Sequence, residues 1–433
     1  MSNAHQQIHH PSPISPGSGG NFIAAFILVT SLFFMWAMAH NLNDILIKKF
    51  ETTLELTRGE ASFIQVTFYI AYFVFALPAG YAMKRIGLKW TMMLGLSLYG
   101  AGAIGFYPAA EMGTFGAFLI ALFVIASGIV CLEIAAGAFI VLTGTSERAA
   151  FRINLAQAFN GLGAVIAPMI GGAFILSSHE RTTQAAIAPS PVRAAGARAV
   201  ELHQVQLTYL LIALVTAVLI VLMGITQFPQ ERHFQKAKSV SYSLLFRQRV
   251  FTAAAVAQFL YVGAQVAVWS FFIDFVKDAR PGTTDSTAAY LLSASLFLFT
   301  FGRFTGSIVV RRVPAPVALA IYGALACITL LGAVMSTGDL SVMCLMAVSL
   351  FMSIMYPTIF ALGVTAAREQ GEIGASVLVM TIVGGAAVPP ALGFAADHFG
   401  LRSAYLILLA CFSVVVLFGL FARPGRSSRE AIQ

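Results

Sequence analysis

FGAFLIALFVIASGIVCLEIAAGAFIVLT, residues 115–143, is the stretch that decides the fold, and Glu133 is the only charged side chain in it. A helix needs about 20 apolar residues to cross a hydrocarbon core of about 30 Å, and this run has more than enough. Outward from it the same pattern repeats. Apolar runs separated by short polar breaks lie near 22–46, 60–83, 90–108, 151–176, 207–227, 250–275, 287–310, 315–335, 340–366, 374–396 and 402–421. Of the 433 residues, 58% are hydrophobic and only 10% charged, against roughly 25% charged for a soluble domain. A soluble core cannot hide that much apolar surface, so lipid is the expected solvent. The chain is expected to be an all-α polytopic membrane protein with twelve transmembrane helices.

The net charge of +8 points to no nucleic-acid partner, because Lys and Arg sit in short clusters between apolar runs rather than on one basic face. Those clusters set the orientation instead. With twelve spans, Lys84, Arg85, Arg148, Arg152, Arg311, Arg312 and Arg368 fall on the side that holds both termini, and the positive-inside rule makes that side cytoplasmic. Four cysteines inside apolar runs lack metal-ligand spacing and read as small buried hydrophobes. His5, His9 and His10 lie in a Ser/Pro/Gly-rich stretch and read as a solvated tail, so no metal is expected and the coupling proton stands in place of a cofactor.

These features divide the chain into a disordered cytoplasmic tail (1–21), an N-terminal six-helix bundle (22–227), a charged cytoplasmic linker (228–249), a C-terminal six-helix bundle (250–422) and a short tail (423–433). An internal repeat supports the division. Gly163, Pro168 and Gly172 in the fifth span recur at the same spacings as Gly384, Pro389 and Gly393 in the eleventh. Two pseudo-symmetric six-helix bundles are a transporter architecture, with the substrate site at mid-membrane between them.

Ionisable residues deep in a span are costly and usually functional, and Asp44, Glu133 and Arg303 are the clearest. An isolated carboxyl in apolar surroundings can bind and release a proton, which suits Glu133 to proton coupling, whereas Asp44 lies toward the outer end of its span, where a solvated helix end is the alternative. Arg303 is either a substrate-binding cation or a structural residue satisfied by carbonyls. Asn154, Gln157 and Asn160 are spaced by three on one helix face, and Tyr261, Gln265 and Trp269 by four on another. Amides can hydrogen-bond sugar hydroxyls and aromatic faces can pack on a pyranose ring, although interhelical glue serves equally well for any single amide.

The strings NLNDI (41–45), CLE (131–133), FRINLAQAFN (151–160), YVGAQVAVWS (261–270), GRFTGS (302–307), MSIMYPTIFALG (352–363) and VMTIVGG (379–385) resemble the fucose, galactose and glucose proton symporters of the major facilitator superfamily. The resemblance covers about residues 22–423 and is strongest to bacterial L-fucose/proton symporters. It implies alternating access by two six-helix bundles, Asp44 and Glu133 as the protonatable pair, and Asn41, Gln157 and Asn160 in the sugar cavity. Gln265, Trp269 and Tyr356 complete the expected substrate set. The implied partners are a small sugar, the proton and the bilayer of a bacterial inner membrane, with the protein acting as a monomer.

Two departures matter, one for the substrate and one for the proton. Where L-fucose symporters continue with Asn-Pro, this chain has Gly137-Ala138, which is expected to leave room and one fewer hydrogen-bond partner and so to relax discrimination against hexoses with a 6-hydroxyl. His40 replaces a common Asn and, four residues before Asp44, is a candidate modulator of its proton affinity. The leading function is import of L-fucose or a related hexose with a proton. Glucose, galactose or N-acetylglucosamine symport is the transport alternative, and a non-transporting sugar sensor the alternative of another class. No phosphate loop, zinc spacing or nucleophile motif accompanies the carboxylates, so an enzyme is not expected.

Overall fold

The computed structural model describes residues 23–38, 58–143, 145–171, 191–228 and 242–422. Their helices succeed one another as twelve antiparallel spans, and no strand occurs among the described residues. The first bundle comprises α1 (Ile23–Met38), α2 (58–86), α3 (88–112), α4 (Phe115–Leu142), α5 (Ala149–Gly171) and α6 (Pro191–Ile225). Gly87 divides α2 from α3 with φ 85°, a left-handed conformation that costs a residue without Cβ little.

After the short α7 (Tyr242–Phe246), four spans of the second bundle are made of two helical pieces each. These are α8 (Arg249–Ser270) with α9 (Phe272–Ala279), α12 (Gly338–Met352) with α13 (Met355–Ala366), α14 (Gly371–Met380) with α15 (Gly384–Phe399), and α16 (Leu401–Ala404) with α17 (Leu406–Phe421). Between them α10 (Asp285–Arg312) and α11 (Ala315–Met335) are continuous. Most span boundaries agree with the apolar runs within a few residues. The exception is α6, which begins at Pro191, well before the run near 207, and carries Arg193, Arg198 and Glu201 in its first part.

The tenth span shows why a helix breaks where it does. Pro357 has no amide hydrogen and its ring excludes the carbonyl four residues back, that of Ser353, so the helix interrupts at Ser353–Ile354. The Tyr261 hydroxyl donates to the neighbouring Met352 carbonyl at 2.8 Å, satisfying an acceptor at the end of α12.

The repeated glycines occupy equivalent places in the two bundles. A Cβ on Gly163 would collide with the Phe34 carbonyl of α1, and one on Gly384 with the Phe259 carbonyl of α8. Each allows a backbone-to-backbone approach that no side chain would permit, as between the fifth and first spans and between the eleventh and seventh.

One end of the assembly gathers Lys84, Arg85, Arg148, Arg311, Arg312 and Arg368, and is called the basic end below. Two basic residues there hold helix ends. Arg152 donates to the carbonyls of Ile140 (2.9 Å), Val141 (2.9 Å) and Thr145 (3.0 Å), closing the last turn of α4. Lys89 donates to Gly224 and Thr226 carbonyls, both at 2.9 Å, closing α6. Arg152→Ala removes all three donors at once. At about 0.5–1.5 kcal/mol net per hydrogen bond, it should lower the Tm in detergent by several degrees while Arg148→Ala, which caps no helix, does not. Equal melting of the two variants would show that the cap contributes nothing.

Candidate functional site

Glu133 is the centre of the site. It is half-buried in α4, and its two carboxylate oxygens accept from hydroxyls on opposite sides. Tyr72 of α2, in the same bundle, donates to Oε2 at 2.8 Å, and Tyr356 of α13, in the other bundle, donates to Oε1 at 2.6 Å. Both tyrosines are at most 9% exposed, so these hydroxyls have little access to water as an alternative partner. Tyr356 follows the break in the tenth span directly. The kink imposed by Pro357 therefore sits beside the residue that reaches across the seam. The carboxylate thus joins the two bundles through these hydroxyls.

A second junction lies between α5 and α10. Arg303 is 7% exposed, and its Nη1 donates to the Gln157 carbonyl at 2.8 Å and to Asn160 Oδ1 at 2.9 Å. Asn160 Nδ2 in turn donates to the Phe33 carbonyl of α1 at 3.2 Å, so its amide ties three spans together. The guanidinium lies 4.5 Å from the Phe299 ring centre, and Trp269 meets the same ring edge-on at 4.9 Å. Trp269 is itself oriented by a hydrogen bond from its indole N–H to Ser349 Oγ at 3.1 Å, with Ser295 bonding the same hydroxyl at 2.7 Å. Such a half-buried, pinned indole offers a fixed face to a ring-shaped ligand.

The predicted residues divide accordingly. Glu133, Tyr356, Asn160, Arg303 and Trp269 belong to this connected set, together with the backbone of Gln157. Gln265 is half-buried and makes no hydrogen bond among the described residues, which leaves its amide available. Asn154, on the same face as Asn160 in sequence, is fully buried and donates to Thr358 Oγ1 at 3.0 Å, an interhelical contact with no opening to a ligand. His40, Asn41 and Asp44 lie outside the described residues. Tyr72 was missed by sequence reasoning. Its signal is slight, a hydroxyl half-way along an aromatic-rich span that also contains Tyr69 and Phe68.

The expected room at Gly137 is not there. The Phe360 ring, 2% exposed, occupies the space, and a Cβ on Gly137 would lie 3.1 Å from two of its atoms. The ring of Phe360 from α13 fills the volume beside Gly137, as close packing demands. A groove of about 520 Å³ between α5 and α10, lined by Phe151, Leu155, Phe304 and Arg311 among others, contains no carboxylate or amide side chain and is not the candidate site.

A family model of the Major Facilitator Superfamily matches residues 18–389. The chain is 39% identical over 413 residues to the L-fucose-proton symporter of Escherichia coli, covering 94% of each protein. It is 34% identical over 414 residues to a glucose/galactose transporter of Brucella abortus, covering 95% of this chain and 97% of the relative. The crystal structure of the Major Facilitator Superfamily transporter FucP in the outward conformation superposes with a TM-score of 0.86 at 38% identity, over 93% of this chain and all of that one. With a family model over most of its residues, relatives matched along nearly its whole length and the same helical architecture, the chain belongs to the major facilitator superfamily, in the family of the fucose, galactose and glucose proton symporters.

Proposed function

We propose that the protein is a secondary carrier that imports L-fucose or a related hexose with a proton across a bacterial inner membrane, by alternating access of its two bundles and with no enzymatic step. The observation that carries this reading is the Glu133 carboxylate, hydrogen-bonded by Tyr72 from its own bundle and by Tyr356 from the other. Protonation removes the negative charge that both hydroxyls address, and charge-assisted bonds are roughly twice as strong as neutral ones. Proton arrival therefore loosens the tie between bundles, which is the linkage that coupled transport requires. Asp44 is the second protonatable group of this reading. Asn41, Gln157, Asn160, Gln265 and Trp269 surround the sugar, with His40 adjusting proton uptake by Asp44.

The basic end is cytoplasmic in this reading, so both termini are too. Bundle contacts such as Asn154 with Thr358 and Arg311 over Phe151, at 5.7 Å, lie toward that end, which supports reading the described conformation as closed to the cytoplasm. The likeness to FucP in its outward conformation supports the same assignment.

Uptake of labelled L-fucose into proteoliposomes, with and without an imposed proton gradient, tests the reading. Accumulation should appear only with the gradient, and a gradient-independent signal would contradict coupling. A competition panel refines the substrate. Position 137 supplies no amide, and loss of one polar partner is worth about 1–3 kcal/mol, so glucose and galactose should compete measurably with L-fucose. Complete failure of both at large excess would mean that another position sets selectivity.

A further inference from the structure

Glu133 and Gly137 are four residues apart on α4, and Tyr356 and Phe360 four apart on α13. Residues at that spacing lie one above the other on a helix, so the two pairs form successive rungs across the bundle seam. The first rung is the hydrogen bond from Tyr356 to Glu133 at 2.6 Å. The second, one turn nearer the basic end, is the Phe360 ring seated over Gly137. The rings of Tyr356 and Phe360 are nearly parallel, 13° apart in plane with centres at 6.3 Å, and Phe360 is 2% exposed. Glycine is what makes the second rung fit. With only 3.1 Å between a Cβ and the ring atoms Cε1 and Cζ, any larger residue must displace either the ring or α13.

We propose that Phe360, seated in the notch at Gly137, is a positioning residue of the carboxylate site. It holds α13 in register against α4 so that Tyr356 reaches Glu133, and it ties that bond to closure of the basic end. The inference rests on the reading of Glu133 as the coupling carboxyl, but its test needs neither sugar nor proton gradient, so the two stand or fall separately.

The experiment measures distances between spin labels at Glu147 and Arg312, both exposed at the basic end and one on each bundle, in the full-length cysteine-free protein in nanodiscs. Gly137→Leu should lower the ratio of closed to open populations by roughly tenfold or more. Phe360→Ala alone should lower it less. The double variant Gly137→Leu/Phe360→Ala should return toward the parent, because leucine then fills the volume the ring has left. If Gly137→Leu does not fold, Gly137→Ala, which needs only a few tenths of an ångström of adjustment, should show the same direction and the same relief by Phe360→Leu. Since Phe360 acts through Tyr356, adding Phe360→Ala to Tyr356→Phe should change the ratio little further, whereas a ring that only fills space would add its full effect. Unchanged distances in the position 137 variants, no relief by the reciprocal change, or full additivity with Tyr356→Phe would each overturn the proposal.

Discussion

Glu133→Gln should abolish gradient-driven accumulation of sugar while leaving exchange of labelled for unlabelled sugar across the membrane intact. Glutamine keeps the shape of the protonated acid and can still accept one hydrogen bond through its carbonyl, but it cannot release a proton. The Tyr72 and Tyr356 hydroxyls then address a neutral amide, and at most one of them retains an acceptor of the original kind. Exchange requires only that the bundles alternate with sugar bound, whereas accumulation requires a proton to travel with it. The expected effect is therefore a loss of essentially all concentrative uptake against a change of no more than a few-fold in exchange. Concentrative uptake at the parent level would remove Glu133 from the coupling mechanism.

Arg303→Met should shift the protein away from the conformation described here. Methionine replaces most of the aliphatic stem but none of the donors, so the buried Gln157 carbonyl and the half-buried Asn160 Oδ1 each lose a charge-assisted hydrogen bond at the seam. A hydrogen bond to a charged group is worth about 1.5–3 kcal/mol, and this contribution is made only while the bundles are together. The closed seam is thus penalised by roughly one to two orders of magnitude in population, after allowance for the desolvation of Arg303 that the substitution relieves. Distances between labels on the two bundles should lengthen, and transport should fall. Arg303→Lys should not restore it, because a single ammonium cannot reproduce a planar guanidinium stacked on Phe299 and bonded to two acceptors. Parent distances and uptake in Arg303→Met would show that the junction is energetically neutral.

The fold was legible because a bilayer imposes length and composition on every span, and the helix Phe115–Leu142 matches the apolar run 115–143 within one residue. Other features were not, for reasons of the same kind. The start of α6 at Pro191 lies among charged residues, where apolar patterning says nothing about helicity. Arg152 read as an orientation signal, and only the folded chain shows it closing the end of α4 and Lys89 closing that of α6. Glu133 stood out because a carboxyl is expensive in lipid, but its partner Tyr72 did not, since a tyrosine in an apolar helix has the same appearance whether its ring packs or its hydroxyl binds. Gly137 was the instructive error. A deletion of side-chain atoms read along one strand of sequence looks like space, yet the volume belonged to Phe360, more than 200 residues away.

The matched glycines have a mechanical consequence. Because Gly163 presses on the main chain of α1 and Gly384 on that of α8, relative sliding of either pair would drive atoms into backbone that cannot rotate aside. Each pair is in effect a weld, and the two halves of the carrier hold it at matched positions. Displacement of α5 then carries α1 along with it, so Gln157 and Asn160 travel as one part with the segment that leads into Asn41 and Asp44. The compliant joints are left between the halves, where side-chain hydrogen bonds and a ring in a notch can break and reform in each transport cycle.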